Sequence, residues 1–190
     1  FEPPAFGATA TIGGTIAAGI AGPARVAHGP VRDYVLGARV LAGDGRVLRF
    51  GGEVMKNIAG FDVARLLAGS LGILGVLLEV SLKVLPLPAA TLTLRQSLAA
   101  RPAVDLLASL ARRGVPLSGS FWSDGELLVR LEGAPAGFDE LAAIVGGTAL
   151  PTTGATDLWR ALREQTHPWF AQAARPLWRT FLVFLAPMML

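Results

Sequence analysis

The chain of 190 residues contains no cysteine, which excludes disulfides, thiolate metal sites and cysteine nucleophiles. It has only two histidines, His28 and His167, and both lie in proline-flanked segments far apart in the sequence. We interpret them as structural residues rather than as metal ligands or catalytic groups. Charged residues make up only 16% of the chain, and no run of basic residues alternates with aromatic ones. Nucleic acid is therefore not an expected partner.

Long hydrophobic runs are also missing, although hydrophobic residues reach 52% of the composition. Residues 181–190 are almost entirely apolar but too short to span a bilayer, so we expect no transmembrane segment. No signal peptide is visible at the N-terminus. Few charges on so apolar a chain predict a surface that is covered by a partner or by a second copy of the chain.

Glycine, in contrast, is abundant and falls into three segments of the first half, which are ATIGGTIAAGIAG (10–22), FGGEVMKNIAGFD (50–62) and LAGSLGILGVLLEVSLKVLP (67–86). In the first, we expect a short β run that ends at Gly13-Gly14 and is followed by a helix. Consecutive backbone amides at such a turn suit phosphate oxygens. A P-loop is excluded because Ile20-Ala21 stands where lysine and a hydroxyl residue are required. Alone, the Gly-Gly pair is equally compatible with an ordinary tight turn.

Several further elements are predicted up to Pro88. Strands at 36–41 and 46–50 flank an Asp44-Gly45 turn, which indicates a β-hairpin. A short helix follows at 60–67 with Asp62 as its cap, and Gly69 ends it. The alternating run 74–85 predicts a half-buried strand with Val76, Leu78 and Val80 on one face.

The pattern changes after the proline-rich boundary at 85–89 and predicts a ferredoxin-like βαββαβ sheet. Its helix at 102–113 is expected to bury Val104, Leu107 and Ala111. The other expected elements are strands at 91–98, 117–122, 126–131 and 177–185 and helices at 138–145 and 157–165.

The order of these motifs, TIGG, a DG hairpin, KxxxGFD, GSxGxLG and LKVLP, resembles the second half of the FAD-binding domain in the vanillyl-alcohol-oxidase/PCMH flavoproteins. Within that family the chain is most similar to the FAD-binding E subunits of glycolate oxidases, and the later segments LWRALREQTHP and LWR strengthen the similarity. The resemblance implies an α+β fold, with a partial PCMH-type FAD-binding domain (its second subdomain) at 1–88 and a ferredoxin-like cap domain at 89–190.

The resemblance also implies roles for individual residues toward FAD. Thr11, Ile12, Gly13 and Gly14 would form a backbone cradle near the pyrophosphate and the ribityl chain. Ala17, Ala18 and Gly22 would let the isoalloxazine lie close. Arg32 and Asp33 would occupy the loop beside the flavin, while Gly69, Ser70, Gly75 and Val76 would approach the adenine side. No catalytic residue and no metal ligand is predicted.

Two departures from the family pattern bear on cofactor binding. Phe61 stands where the family often has tyrosine, and Leu71 where many members have glutamate, which removes a polar contact. In addition, residues 1–7 are too short to hold the family's first flavin lobe, so we expect a chain truncated at its N-terminus that binds FAD weakly by itself.

The function implied is that of a subunit of an FAD-dependent 2-hydroxy-acid oxidoreductase, in which the flavin accepts a hydride from glycolate. The implied partners are a second flavin subunit and an iron–sulfur subunit, with a homo-oligomer when the chain is alone. A cytoplasmic location follows, with peripheral membrane association through partners. The alternative is a non-catalytic scaffold subunit that keeps the flavin-domain fold without binding FAD independently.

Overall fold

A computed structural model of the chain describes residues 1–52 and 61–171. Contacts divide this part of the chain into two units. The first unit contains Phe1–Leu87 and Arg163–Gln165, and the second contains Pro88–Leu162 and residues 166–171. The predicted strand at 177–185 and Lys56 of the second glycine segment lie outside the described residues.

Short helices and strands make up the first unit, and longer ones the second. The described helices are α1 (Ile12–Ala18), α2 (Arg25–His28), α3 (Val63–Leu66), α4 (Ala100–Arg112), α5 (Phe138–Val145) and α6 (Thr152–Arg163), with 3-10 turns at Val31–Tyr34, Pro135–Gly137 and Pro168–Ala171. The strands are β1 (Val35–Leu41), β2 (Val47–Gly51), β3 (Val76–Leu82), β4 (Ala90–Ser97), β5 (Leu117–Ser123), β6 (Glu126–Gly133) and β7 (Thr148–Ala149). The α+β class is confirmed.

In the first unit, an antiparallel sheet has the strand order β2-β1-β3. The hairpin predicted at Asp44-Gly45 is confirmed: Gly45 has a φ of +81°, and the Asp44 carboxylate accepts the Arg46 amide at 3.1 Å. Asp62 also caps α3 as predicted, accepting the Arg65 amide at 3.2 Å. Helix α1 packs its buried Ile16 against Val31 and Val35, so the sheet and α1 share one core.

The prediction of a β run ending at Gly13-Gly14 is wrong. Residue Thr11 is the N-cap of α1, and its side-chain Oγ1 accepts the Gly14 amide at 3.0 Å. This side-chain cap satisfies an amide that the first helical turn would otherwise leave without a partner. Both glycines therefore lie in the first turn of a helix rather than in a turn after a strand.

The buried and exposed residues of β3 also differ from the strict alternation that was predicted. Val76 and Leu78 are exposed, whereas Leu77 and Val80 pack into the core. A register irregularity explains this, because Arg39 pairs with Glu79 while the next residue of β1 pairs with Leu77. A bulge of this kind inserts one residue and switches the buried face of the strand, which alternation alone does not reveal.

The second unit has the sheet order β5-β6-β4-β7, with all pairs antiparallel. With α4 between β4 and β5 and α5 between β6 and β7, this is the predicted ferredoxin-like topology. Its fourth strand is β7, which directly follows α5 and was not predicted. Leu94 and Val129 of the sheet pack in one core with Leu110 of α4 and Val145 of α5.

Two helices of the second unit differ from their predictions. In α4 the buried residues are Ala103 and Leu110, while Val104 is 43% exposed, because the apolar stripe is rotated by one residue. Helix α6 begins at Thr152, five residues earlier than predicted, directly after Pro151. A proline before the first turn suits a helix start because its fixed φ and missing amide proton are tolerated there.

Candidate functional site

The start of α1 is the centre of the predicted cradle. Thr11 holds the helix start through Gly14, and its carbonyl oxygen accepts the Thr15 amide at 2.9 Å. A β-carbon on Gly13 would make an ordinary van der Waals contact with Leu77 Cβ at 3.9 Å, so this position faces β3. On Gly14 it would lie 3.1 Å from Thr11 Oγ1, which leaves little room for a larger residue. The glycines therefore keep the helix start bare of side chains.

A pocket of about 270 Å³ lies beside this helix. One wall is the N-terminal segment with Pro4, Ala5 and Phe6, and another is α1 with Gly14 and Ala18. The rest of the lining consists of the hydroxyl residues Thr9, Thr11 and Thr15 together with Ala10 and Ile20. Apolar walls with a few hydroxyls suit a ligand that has both flat apolar and polar parts. The pocket contains three of the predicted site residues, Thr11, Gly14 and Ala18.

The predicted turn at Gly69 and Ser70 contacts the other end of α1. The Gly69 amide donates to the Ile16 carbonyl at 3.0 Å, and the Leu71 amide donates to the Ala17 carbonyl at 2.9 Å. These bonds satisfy carbonyls that the end of a helix leaves without partners. The first and third glycine segments, remote in sequence, are thus joined through the backbone.

Two other predicted site glycines are packed against the chain itself. A β-carbon on Gly22 would overlap the carbonyl oxygen of Glu2, and one on Gly75 would lie 2.5 Å from a Val40 methyl. Both positions therefore require glycine for internal packing, whatever they contribute to a ligand. Val76, which follows Gly75, is 60% exposed. Contact of these residues with FAD stays a prediction.

Arg32 and Asp33 lie in the 3-10 turn at Val31–Tyr34, with 3.9 Å between Arg32 Nε and Asp33 Oδ1. Both side chains are largely exposed. In the described ranges 1–52 and 61–171, no hydrogen bond or ion pair links them to the other predicted site residues. The structure thus groups Thr11–Ala18 with the Gly69 turn and leaves the Arg32–Asp33 turn separate.

Tyr34 follows this pair and was not singled out from the sequence. Its ring is buried, and its hydroxyl donates to the His28 carbonyl at 2.8 Å. Burial and, second, the Asp33 charge raise the pKa of the Tyr34 hydroxyl above its usual value. The Lys83 ammonium lies 4.9 Å from the ring centroid. The phenol is therefore a neutral anchor of the 3-10 turn.

The two residues that depart from the family pattern are both on the surface. Phe61 is 95% exposed, and Leu71 is 73% exposed with a φ of +52°. A branched residue in the left-handed region is uncommon and carries a conformational cost. Both side chains are apolar, so neither contributes a polar group to the pocket.

The second unit contains a buried arginine, Arg130. Arg130 donates from Nε to Ser118 Oγ at 3.0 Å, and its guanidinium lies 4.9 Å from the Trp159 ring centroid. The indole Nε1 of Trp159 donates to Thr93 Oγ1 at 2.9 Å. These contacts fix α6 on the sheet, so we assign them a structural role.

Neither a metal cluster nor a membrane-spanning helix is present in the described ranges. Residues 1–52 and 61–171 contain no group of three or more histidines, aspartates and glutamates that is arranged to hold a metal ion. The same residues contain no helix with the length and apolarity needed to cross a membrane.

Sequence reasoning missed one contact at this pocket. Glu164, which is remote in sequence, accepts the backbone amides of Ala5 and Phe6 in the pocket wall. No local pattern indicates it, because residues 157–165 show only helical periodicity.

Residues 1–51 match the family described as FAD binding domain. The chain is 46% identical over 188 residues to glycolate oxidase subunit GlcE of Escherichia coli, covering 99% of this chain and 52% of that protein. It is 34% identical over 140 residues to glycolate oxidase subunit GlcD of Bacillus subtilis, covering 71% of this chain and 29% of that protein. The chain thus spans about half the length of GlcE.

Solved structures share the fold at low sequence identity. An alkyldihydroxyacetonephosphate synthase superposes with a TM-score of 0.64 and 17% identity, covering 89% of this chain and 39% of that one. The described residues fit an FAD cofactor at one point, because Thr11 and Gly14 at the start of α1 line the pocket without a bulky side chain. Residues 1–51 therefore match an FAD-binding family, and almost the whole chain is similar to about half of glycolate oxidase subunit GlcE.

Proposed function

We propose that the chain is part of an FAD-dependent oxidoreductase and that its first unit binds part of FAD. The pocket beside α1 carries this proposal, because it is built within the residues that match the FAD binding domain. The pocket has a helix start without a side chain at Gly14, hydroxyls at Thr9 and Thr11 and apolar walls at Pro4 and Ala18, which together suit a dinucleotide with a flat ring system.

In this function FAD supplies the chemistry by accepting a hydride, and the chain supplies binding and orientation. Thr11 holds the first turn of α1 in place through its bond to the Gly14 amide, so that the pocket wall at Thr11 and Gly14 is preorganised. The Gly69 turn fixes the far end of the same helix. Pro4 and Phe6 contribute apolar surface to one wall of the pocket.

The substrate that we propose is a small 2-hydroxy acid, with glycolate the first candidate. The names of the relatives support this class, since they include glycolate oxidase subunits and a D-lactate dehydrogenase of Archaeoglobus fulgidus, 39% identical over 85 residues. We further propose a second flavin subunit and an iron–sulfur subunit as partners, and a cytoplasmic location with peripheral membrane association through them. GlcE and GlcD are both named as subunits of glycolate oxidase, and this supports an assembly of several subunits.

Anaerobic reduction tests the proposed reaction. The chain is mixed with FAD and glycolate, alone and together with a purified GlcD-type subunit, and flavin absorbance is followed. We expect bleaching that depends on this chain and on glycolate, and none with a Gly14→Val variant. Bleaching at the same rate without the chain would contradict an oxidoreductase role.

The scaffold function remains the second candidate, and Leu71 favours it. Its exposed apolar side chain stands where many family members have glutamate, which suits a contact with another protein better than a contact with FAD. A scaffold predicts that the chain binds the GlcD-type subunit stably while Gly14→Val leaves turnover of the assembly unchanged. The FAD-binding function predicts that this variant lowers turnover without releasing the partner.

A further inference from the structure

Two carboxylates hold the N-terminal segment to the first unit. The Glu2 carboxylate accepts the Ala24 amide at 3.1 Å. The Glu164 carboxylate comes from the distant segment Arg163–Gln165, and its Oε2 accepts the amides of both Ala5 and Phe6 at 2.8 Å. The wall of the pocket is therefore fixed by a residue more than 150 positions away in the sequence.

Glu164 is itself held in a defined geometry. Its side chain is 17% exposed, and its second oxygen, Oε1, accepts the Arg163 Nε at 2.6 Å. Burial alone would raise the pKa of this carboxyl, but the bonds from Phe6, Arg163 and Ala5 outweigh burial and lower it. The group is ionised at neutral pH, and hydrogen bonds to an ionised acceptor are stronger than neutral ones.

The segment held by Glu164 has an unfavourable backbone. Phe6 has a φ of +54°, in the left-handed region that residues other than glycine rarely adopt. Such a conformation persists only where surrounding contacts determine it. The two bonds to Glu164 are contacts of this kind, since one of them is made by the Phe6 amide itself. Without them, Pro4, Ala5 and Phe6 lose the arrangement in which they line the pocket with Gly14 and Ala18.

We propose that Glu164 is a positioning residue of the FAD pocket, whose carboxylate sets the wall formed by Pro4, Ala5 and Phe6. The inference rests on the proposed function, because the pocket is assigned to FAD there. It adds that residues from the second half of the sequence determine the affinity of a pocket that lies in the FAD-binding unit.

Amide NMR of the 15N-labelled chain, with FAD as the added ligand, tests this proposal. Glu164→Ala removes both acceptor oxygens, and Glu164→Gln keeps one acceptor while removing the charge. Asp157→Ala is the matched control, since within residues 1–52 and 61–171 the Asp157 carboxylate makes an exposed ion pair with Arg160 and is remote in sequence from the pocket wall. Hydrogen exchange of the Ala5 and Phe6 amides reports the wall directly, independently of any bound ligand.

We expect exchange of these two amides to rise at least tenfold in Glu164→Ala, and FAD to bind about tenfold more weakly. Glu164→Gln should fall between the wild type and Glu164→Ala in both measurements, and Asp157→Ala should match the wild type. A faster exchange with unchanged FAD affinity would overturn the positioning role. If the wild type shows no FAD-induced shift at any concentration, both this inference and the proposed function are wrong. If the wild type binds FAD but Glu164→Ala has the same amide exchange and the same FAD affinity, only the inference is overturned.

Discussion

Gly19 and Gly69 pack backbone against backbone, so that a β-carbon on Gly19 would lie 2.7 Å from the Cα of Gly69. The φ of Gly19 is +63°, where it ends α1. This contact joins the first and third glycine segments through close packing. It also explains why a glycine is required at the end of α1.

Gly19→Ala should therefore destabilise the first unit. The left-handed conformation and the close backbone together should lower the free energy of unfolding by about 2 kcal/mol. Urea denaturation measures the loss. Gly43→Ala is the control, because Gly43 is exposed and a β-carbon there meets nothing within 4 Å. Equal stability of the two variants would show that the Gly19–Gly69 approach is not a constraint.

In the second unit, the bond from Trp159 to Thr93 should contribute to stability. Trp159→Phe leaves a buried hydroxyl without its donor and should cost about 1–3 kcal/mol. Thr93→Val removes the acceptor. In a double-mutant cycle, the two substitutions should together cost less than the sum of their separate effects. Additive effects would mean that the bond contributes nothing measurable.

The lowered pKa of Glu164 predicts a pH dependence. Because its pKa is lower in the folded chain than its ordinary value of 4.5, its stabilising effect is complete above that pH and is lost as the pH falls through the folded value. The difference in unfolding free energy between the wild type and Glu164→Gln should be constant near neutral pH and shrink below about 4.5. A difference that grows on acidification would contradict the assigned direction.

Exposed apolar side chains predict self-association of the chain when it is alone. Phe61, Leu71 and Ile73 are 95%, 73% and 84% exposed. We expect light scattering to report dimers or larger assemblies, and the double substitution Leu71→Glu with Ile73→Ser to reduce them. A wild-type monomer at all concentrations would refute this prediction.

The elements set by local chemistry could be predicted from the sequence. Asp44-Gly45 specifies its hairpin because the turn needs a residue that accepts a positive φ. Likewise, Asp62 caps α3 through its own side chain. The predicted ferredoxin-like order followed from the alternation of such elements.

Other features depend on interactions that leave no local pattern. The bulge at Leu78 is defined by the pairing of β3 with β1, and β7 has only two residues, too few for a period. Thr11 is compatible with a strand or with a helix cap, and its bond to Gly14 decides between them. The contact of Glu164 with Ala5 and Phe6 joins residues that only the folded first unit brings together.

The central claim is that the start of α1 and its pocket bind FAD. Titration of the labelled chain with FAD tests this claim most directly. We expect the purified chain to be colourless and to bind added FAD weakly, with the largest amide shifts at Gly13, Gly14 and Thr15. Gly14→Ala should weaken FAD binding, because Gly14 lines the pocket and an added carbon there would lie 3.1 Å from Thr11 Oγ1. Gly43→Ala is the control, because a β-carbon on the exposed Gly43 meets nothing within 4 Å. Shifts confined to other residues, or equal FAD affinity in Gly14→Ala and the wild type, would contradict the account.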